Sequence, residues 1–294
     1  MKKPEKSHGF ARNEASYQEW RNTKLRRFPR TVDDLLVEID GLAGLSNADT
    51  AAIKAICDRS NMAVYKCRDK TVDRQVIRSF ALRFGLKRLD HHLCANPDGV
   101  SELSVAAEGV RSEYVPYSNR ALSWHTDGYY NDKSRQINAV LLHCARSADS
   151  GGENALLDPE IAYIRLRDEN PRFIEAFEHP GCMTIPANEN AGGERRPAVS
   201  GPVFSYDVDG RIHMRYSARK KNIRWRDDAM TRSARDFLTE VLEGQSSRVF
   251  RYRLQPGEGL ISNNVLHNRT AFTDQPGHHR LLYRARFFDR IETA

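Results

Sequence analysis

Residues 101 to 288 consist mainly of short strand-forming runs separated by glycine-containing turns, and this pattern limits the possible folds more than any other feature. The runs are SELSVA, INAVLLHCA, PVFSYDV, RIHMRYS, SRVFRYRL, GLISNNV and RLLYRARFF, and the turns include Gly151-Gly152, Asp209-Gly210 and Pro256-Gly257. Strands and helices do not alternate here as they would in a doubly wound parallel sheet. The pattern therefore predicts a mainly β chain built as an antiparallel sandwich or barrel.

Helical patterns flank and interrupt these strands. They are predicted in EASYQEWRNTKLRRF, which Pro29 ends, in SNADTAAIKAICDRS with Ser46 or Asn47 as cap, in TVDRQVIRSFALRFG, and over about 159–178 and 227–243. Gly85 is placed where a helix end uses a left-handed residue. TVDDLLVEI and MAVYKC are predicted strands. Because no low-complexity linker divides the chain, we expect one domain over residues 31–294.

The charge of the chain is +7, and much of the excess lies in residues 1–30, which carry nine Lys or Arg against three Glu. We interpret residues 1–30 as a basic, solvated arm. Nucleic acid is a less favoured partner because no known nucleic-acid-binding module is present. A small anionic substrate also suits this charge.

The cysteines and the apolar runs indicate the cellular setting. The five cysteines are odd in number and lack C-x-x-C spacing, which argues against a disulfide framework or a structural zinc site and favours reduced, buried thiols. No apolar run approaches the roughly 18 residues of a membrane span, and the first residues lack a secretory signal. We expect a cytoplasmic protein, and the sequence leaves a homo-oligomer open.

The segment SWHTDGYY offers candidate metal ligands. Residues i and i+2 of a strand point to the same side, so His125 and Asp127 can both reach one ion. Two histidines and one carboxylate on one face of an iron ion leave adjacent positions open, as dioxygen chemistry requires. His267, which follows an apolar strand and a turn in GLISNNVLHNRTAF, is the best third ligand. Tyr129 and Tyr130 are unexplained, although one is expected to line a substrate cavity.

Other histidines compete for the third position. His143 lies in an apolar strand and is interpreted as a core residue, whereas His278 and His279 follow a Pro-Gly turn and are expected to be exposed. His213 is left open as an alternative to His267.

The run RLLYRARFF places Arg280, Leu282, Arg284 and Arg286 on one strand face and apolar side chains on the other. If the strand is buried on both sides, these guanidiniums need anionic partners, because an unpaired buried charge is costly. Arginine forms bidentate bonds with carboxylates, so one of them could hold a dicarboxylic cosubstrate. A strand whose arginines face solvent is the alternative.

Four separated motifs together resemble the taurine dioxygenase (TauD/TfdA) family of Fe(II)- and 2-oxoglutarate-dependent oxygenases. They are WHTDG, GGEN at 151–154, PGEGLISNNVLHNRTAF, and Arg280 thirteen residues after His267, and the order of elements from about residue 60 to 290 also agrees. The resemblance implies a double-stranded β-helix (jelly-roll) core and an enzyme that hydroxylates, desaturates or cleaves a small, anionic organic molecule with succinate and CO₂ as co-products.

The resemblance also implies roles for individual residues. His125, Asp127 and His267 would bind Fe(II), and Arg280 would grip the distal carboxylate of 2-oxoglutarate, with O₂ as co-reactant. Asn154 stands where the family often has Thr beside that carboxylate, and its amide could donate a similar bond. Arg284 and His92 match substrate-side positions. Halogenating relatives replace the carboxylate ligand with a small residue, so the retained Asp127 favours oxygenation.

Function classes other than an oxygenase stay open at this point. A metal-binding jelly-roll protein without catalysis is the main alternative, and a nucleic-acid binder that uses the basic arm is a weaker one. Substrate choice is expected to come from loops 86–123 and 180–225, where 187–200 is Gly-rich and polar like a mobile lid.

Overall fold

The structure is a computed structural model that describes residues 13–190, 193–244, 246 and 248–292. Its α-helices are α1 (Glu14–Arg27), α2 (Asn47–Ser60), α3 (Arg74–Leu82), α4 (Pro159–Glu169), α5 (Pro171–Glu178) and α6 (Ala229–Glu243). Short 3₁₀ turns lie at Asp33–Leu35, Val110–Glu113, Val115–Tyr117 and Lys133–Arg135.

The strands follow in chain order: β1 (Leu36–Ile39), β2 (Met62–Cys67), β3 (Ser101–Leu103), β4 (Leu122–His125), β5 (Ala139–Arg146), β6 (Ser150–Gly151), β7 (Asn154–Leu157), β8 (Met183–Ile185), β9 (Asn188–Asn190), β10 (Gly193–Arg196), β11 (Val199–Gly201), β12 (Phe204–Tyr206), β13 (Ile212–Met214), β14 (Arg224–Trp225), β15 (Phe250–Tyr252), β16 (Glu258–Ser262), β17 (Leu266–Arg269), β18 (Phe272–Thr273) and β19 (Leu281–Phe287). Helices and strands take comparable shares, so the fold is mixed α/β with several antiparallel sheets rather than mainly β.

The described residues divide into two compact units. We call the first the sheet unit; it contains Pro29–Asp158, Tyr216–Arg219 and the described residues after Gly244. We call the second the helical unit; it contains the described residues up to Phe28 together with Pro159–Arg215 and Lys220–Gly244. A single domain over 31–294 stays a prediction.

Two larger sheets form the sheet unit. One has the order β1-β2-β16-β5-β19-β3, in which only the β1–β2 pair is parallel, and the other has the order β15-β7-β17-β4 and is antiparallel throughout. Helix α2 packs on β1 and β2, and α3 packs on β19. The rings of Tyr65 and Phe80 lie 4.9 Å apart in this core, and Phe80 contacts Phe84 at 5.0 Å.

Helices α1, α4, α5 and α6 belong to the helical unit, where α5 packs on both α4 and α6. The predicted helix over 159–178 is in fact two helices, because Pro171 lacks an N–H and starts α5 with Asn170 as its cap. Of the predicted lid, residues 187–190 and 193–200 are described and form β9, β10 and part of β11, while residues 191 and 192 lie outside the described residues. Its role as a lid stays a prediction.

The amino-terminal arm is only partly visible in the structure. Residues 1–12 lie outside the described residues, and the predicted first helix is confirmed as α1. Arg21 pairs with Asp168 at 2.6 Å and Lys24 with Glu160 at 2.5 Å, and the Lys24 side chain is buried. This part of the arm therefore packs within the helical unit rather than standing free in solvent.

Other local predictions agree with the structure. Ser46 caps α2 in a capping box with Asp49, MAVYKC is strand β2, and Gly85 has a φ of 79°. TVDDLLVEI is a strand only from Leu36 onward, because its first part forms a 3₁₀ turn. The five cysteines are free and buried, and none of the helices in the described ranges is long and apolar enough to cross a membrane.

The buried His143 generates a prediction about stability. Its Nδ1 lies 3.2 Å from the Tyr65 hydroxyl, and burial lowers its pKa from 6.5 to about 4. A lowered pKa means that the unfolded chain binds the proton more tightly, so the contribution of neutral His143 is full above pH 6.5 and is lost as pH falls toward 4.

We therefore expect the free energy of unfolding of the metal-free wild type to fall relative to that of His143→Gln as pH drops from 6.5 to 4, by at most about 1.4 kcal/mol per pH unit. Urea unfolding of both proteins at several pH values measures this difference. A difference that does not change with pH would contradict the assignment.

Candidate active site

Strand pairing brings the two candidate histidines together. His125 ends β4 and lies directly opposite His267 of β17 in the antiparallel register, with ring centroids 4.2 Å apart. Both therefore project from the same face of the four-stranded sheet. The pairing of β4 with β17 therefore brings His267 close to Asp127, which lies 140 positions earlier in the sequence, as the sequence predicts.

Asp127 is fixed by an asparagine that was not identified from the sequence. Asn264 accepts the Asp127 N–H at 2.8 Å and donates to the carbonyls of Asp127 at 2.9 Å and Ile137 at 2.7 Å. Asn264 has a φ of 50°, a conformation that Asn tolerates better than most residues. Gly128 is also required, because its φ is 70° and a Cβ there would lie 2.4 Å from Ile137 Cγ1.

Hydrogen bonds to backbone carbonyls orient both histidine rings. His125 Nδ1 lies 2.9 Å from the Ser123 carbonyl, and His267 Nδ1 lies 2.9 Å from the Val265 carbonyl. A carbonyl only accepts, so each Nδ1 carries the proton and each Nε2 carries the lone pair. Burial and the neighbouring His267 ring lower the pKa of His125 to about 3, so His125 is neutral near pH 7.

The carboxylate of Asp127 is buried yet ionised. Burial alone would raise its pKa, but the guanidiniums of Arg284 and Arg286, helped by the two histidines, hold the pKa below its ordinary range. Arg284 Nη1 lies 3.3 Å from Asp127 Oδ1, and Arg286 Nη1 lies 3.7 Å from the same oxygen. The other oxygen, Oδ2, is buried without a hydrogen-bond partner among the described residues.

These three side chains fit a metal ion. One ligand atom from each of His125, Asp127 and His267 lies within 4.8 Å of the others. Two neutral imidazoles and one carboxylate are the donor set of non-haem iron centres. An unpaired carboxylate oxygen would be costly in a buried site without a cation, so this atom supports a metal more strongly than proximity alone.

A pocket in the sheet unit surrounds Arg280. Its lining includes Gly152, Asn154, Arg253 and Leu282. Arg280 is only 5% exposed, its backbone N–H donates to Asp274 Oδ2 at 3.1 Å, and its guanidinium lies over the Phe272 ring at 4.9 Å. No side chain of the described residues forms an ion pair with it, so the guanidinium is available to an anionic ligand.

Asn154 lies on the same sheet face as His267. It pairs with Arg269 in the β7–β17 register, two positions from the Leu156–His267 pair, and paired residues share a face. Its Nδ2 donates to the Asn268 carbonyl at 2.9 Å. An amide nitrogen carries two hydrogens, so this contact leaves one for a ligand in the Arg280 pocket.

The electrostatic potential in the Arg280 pocket is positive. The Arg269 guanidinium also lies over the Phe272 ring, at 4.8 Å, and burial together with Arg280 lowers the pKa of Arg269 to about 10. Its guanidinium donates to the carbonyls of Ser118, at 2.8 Å, and Arg120. Backbone carbonyls bind Arg269 without neutralising it, so the pocket favours an anion.

The buried arginines of β19 have the acidic partners that the sequence predicts: Arg284 pairs with Asp127, and Arg286 pairs with Asp90. The strand is buried on both sides toward its end. Arg286 is 2% exposed, pairs with Asp90 through Nη2 and donates from Nη1 to the Tyr130 hydroxyl at 2.7 Å. Asp90 was not identified from the sequence, although it lies in the same LDHHL run as His92.

The remaining candidates border this cluster. His92 accepts the Cys94 N–H at 3.2 Å through Nδ1, so its Nε2–H points to Ser101 Oγ at 3.0 Å, and burial with nearby Arg286 and Arg284 lowers its pKa to about 2. Tyr129 stacks edge-on to His125 at 6.1 Å and lies under Arg219 at 5.1 Å.

The competing histidines lie elsewhere. His143 is a core residue, His278 and His279 are exposed, and His213 lies in β13 of the helical unit. Among the described residues, the cluster of His125, Asp127 and His267 is the one group found that could hold a metal ion.

Comparisons with known proteins agree with this geometry. The family model described as taurine catabolism dioxygenase TauD, TfdA family, matches residues 37–286. A uridine-5'-phosphate dioxygenase from an Amycolatopsis species is 32% identical over 173 residues, which cover 55% of this chain and 59% of that protein. One from a Streptomyces species is 31% identical over 199 residues, 62% of this chain and 67% of that protein. The chain thus spans about three-fifths of the length of the first relative.

Solved structures share the fold. Asparagine oxygenase in complex with Fe(II), 2S,3S-3-hydroxyasparagine and succinate superposes with a TM-score of 0.56 at 17% identity, over 82% of this chain and 78% of that chain. The non-heme iron oxygenase OrfP in complex with Fe and alpha-ketoglutaric acid gives 0.57 at 17% identity, over 82% and 83%. The described residues therefore share the fold of TauD-like double-stranded β-helix oxygenases, although they are mixed α/β rather than mainly β.

The family match covers most of the chain, and the histidine–carboxylate cluster lies within it. The chain therefore belongs to the TauD/TfdA family of Fe(II)- and 2-oxoglutarate-dependent oxygenases.

Proposed function

We propose that His125, Asp127 and His267 bind one Fe(II), and that Arg280 with Asn154 holds the distal carboxylate of 2-oxoglutarate. The observation that carries the metal assignment is the buried, unpartnered Oδ2 of Asp127 beside two histidines whose Nε2 atoms carry lone pairs. The support for the cosubstrate assignment is a buried guanidinium in a positive pocket.

When iron, 2-oxoglutarate and O₂ are bound, they supply oxidation of a C–H bond with succinate and CO₂ as co-products. The chain's own residues hold and orient these groups. Neutral His125 and ionised Asp127 are ready to bind the metal without losing a proton near pH 7. Arg280 orients the cosubstrate, and buried side chains around the cluster exclude water.

The proposed substrate is a small anionic organic molecule, and a nucleoside monophosphate such as uridine 5'-phosphate is the first candidate. The two relatives named for uridine 5'-phosphate support this class. Arg284 is buried beside the metal cluster, and its Nε has no hydrogen-bond partner among the described residues, so it can still donate to a substrate anion. His92, held neutral with its ring fixed, is proposed to line the same side.

The proposed outcome is oxygenation rather than halogenation. Asp127 keeps a carboxylate at the position that a halide would need, and two guanidiniums hold it there. Hydroxylation is the simplest result, and desaturation or cleavage would start from the same C–H bond.

A first experiment tests the ligand assignment with a matched pair of histidine variants. We expect His267→Ala to abolish Fe(II) binding, because it removes one of three ligands, whereas His278→Ala, at an exposed position, binds as the wild type does. Anaerobic titration of metal-free protein, followed by the weak visible band that appears with Fe(II) and 2-oxoglutarate, measures both. Equal bands from the two variants would refute the assignment.

A second experiment tests the cosubstrate pocket. We expect Arg280→Gln to raise KM for 2-oxoglutarate by about 30-fold or more, the effect of removing one partner of a buried charged pair. Arg253→Gln is the control, because Arg253 lines the same pocket but donates to the carbonyls of Ala148 and Asp149. Succinate release measures KM. A larger effect at Arg253 would contradict the pocket assignment, and no succinate release under any condition would favour a non-catalytic metal-binding protein.

A third experiment tests the substrate class. Succinate release with uridine 5'-phosphate should exceed that with uridine by about tenfold or more, since a phosphate adds a charged hydrogen bond. Arg284→Gln should shrink that ratio. If phosphorylated nucleosides leave succinate release at the substrate-free rate while sulfonates, carboxylates or betaines raise it, the nucleotide proposal is wrong.

A further inference from the structure

We infer that Arg286, anchored by Asp90 and Tyr130, is a positioning residue that fixes the plane of the Asp127 carboxylate so that only one of its oxygens faces the metal. The inference rests on the proposed role of Asp127 as an iron ligand and extends it to Arg286, which lies beside Asp127, and to the two residues that hold Arg286. It concerns Arg286, whereas Arg284 is the residue proposed for the substrate.

Arg286 is held rigidly. Its side chain is 2% exposed, its Nη2 pairs with Asp90 Oδ2, and its Nη1 donates to the Tyr130 hydroxyl at 2.7 Å. The Tyr130 ring also lies 5.7 Å from the guanidinium carbon. The same Nη1 stands 3.7 Å from Asp127 Oδ1. A planar guanidinium with its two ends fixed cannot rotate away from the carboxylate.

Asp90 is itself fixed on every side. Its side chain is fully buried, its Oδ1 accepts from Arg135 Nη2 at 3.0 Å, and its backbone N–H donates to the Arg286 carbonyl at 2.9 Å. Asp90 and Arg286 are therefore joined twice, once through the backbone and once through side chains. Such a buried pair contributes little net stability, so a role in orientation is the better reason for it.

The consequence falls on Asp127. The terminal torsion of an aspartate is broad, so the plane of an isolated carboxylate is loosely set. Here Arg284 and Arg286 approach the same oxygen, Oδ1, and the remaining oxygen is left without a protein partner among the described residues. This arrangement selects binding through one oxygen and opposes chelation by both.

The alternative is that Arg286 only balances charge. The two roles predict opposite results for variants that keep or remove the charge. Arg286→Lys keeps the positive charge but loses the planar guanidinium with its two Nη donors, whereas Arg286→Met loses both the charge and the donors. Asp90→Asn keeps the shape of the anchor and loses its charge, and Tyr130→Phe removes a single hydroxyl that Arg286 donates to.

The test is the anaerobic Fe(II) dissociation constant of each variant, with the visible band formed on adding 2-oxoglutarate as a second readout. For Arg286→Lys and Asp90→Asn we expect the constant to rise about 10- to 100-fold, the usual effect of losing a residue that orients a metal ligand, and the band to shift. Arg286 and Asp90 act on Asp127 through the same chain of contacts. The Fe(II) dissociation constant of the double variant should therefore be no higher than that of the single variant that binds iron less tightly. Tyr130→Phe should move the constant in the same direction by less, and it keeps the test available if the lysine variant does not fold.

Arg215→Lys is the matched control. Arg215 is also a buried arginine, but it donates to the backbone carbonyls of Val199, Gly201 and Met183 in the helical unit. We expect its iron affinity to stay within about twofold of the wild type.

Unchanged affinity and band in folded Arg286→Lys and Tyr130→Phe, with tighter binding in Arg286→Met, would overturn positioning in favour of charge balance. Asp127→Ala distinguishes failure of the ligand assignment from failure of the positioning inference. If that variant binds iron as the wild type does, the ligand assignment itself has failed; if it loses iron while Arg286→Lys does not, only the positioning inference has failed.

Discussion

The buried carboxylate of Asp127 is the constraint on which the rest of the site depends. A carboxylate in this setting is stable only when its charge is compensated, and here two guanidiniums from one strand compensate it through a single oxygen. The strand that carries Arg284 and Arg286 therefore has to be buried on both faces. That requirement explains why an arginine-rich strand, β19, lies inside the larger sheet between β5 and β3.

The three arginines Arg280, Arg284 and Arg286 have different partners. Arg286 pairs with Asp90 and donates to the Tyr130 hydroxyl, Arg284 pairs with Asp127, and Arg280 lies in a separate pocket with the Phe272 ring 4.9 Å from its guanidinium. Arg284 and Arg286 stand at alternate positions of β19, and Arg280 lies immediately before the strand, ahead of a register shift at Leu281 and Leu282. A period of two sets the first two positions, but the environments of all three guanidiniums come from the loops and strands packed against them.

The sequence could predict those parts of the site that depend on spacing. His125 and Asp127 lie two residues apart, His267 follows an apolar strand and a turn, and the family resemblance supports His267 through Arg280 thirteen residues later. It could not identify Asn264 or Asp90, because hydrogen-bond partners 137 and 196 residues away are fixed only when the sheets close. In the fold, the helices, most strands and the Ser46 cap were predictable from local pattern, whereas the class was not, because helices take as large a share as strands and the chain is mixed α/β rather than mainly β. Pro171 marked the break between α4 and α5, yet an apolar helical pattern continued across it.

The central claim is that Asp127 divides its two oxygens between arginine and metal. The most direct test is a crystal structure of the anaerobic protein with Mn(II) in place of iron and with 2-oxoglutarate. The account predicts metal bound by His125 Nε2, His267 Nε2 and Asp127 Oδ2 alone, with Oδ1 still facing Arg284 and Arg286. A metal chelated by both oxygens of Asp127, or bound elsewhere, would contradict it.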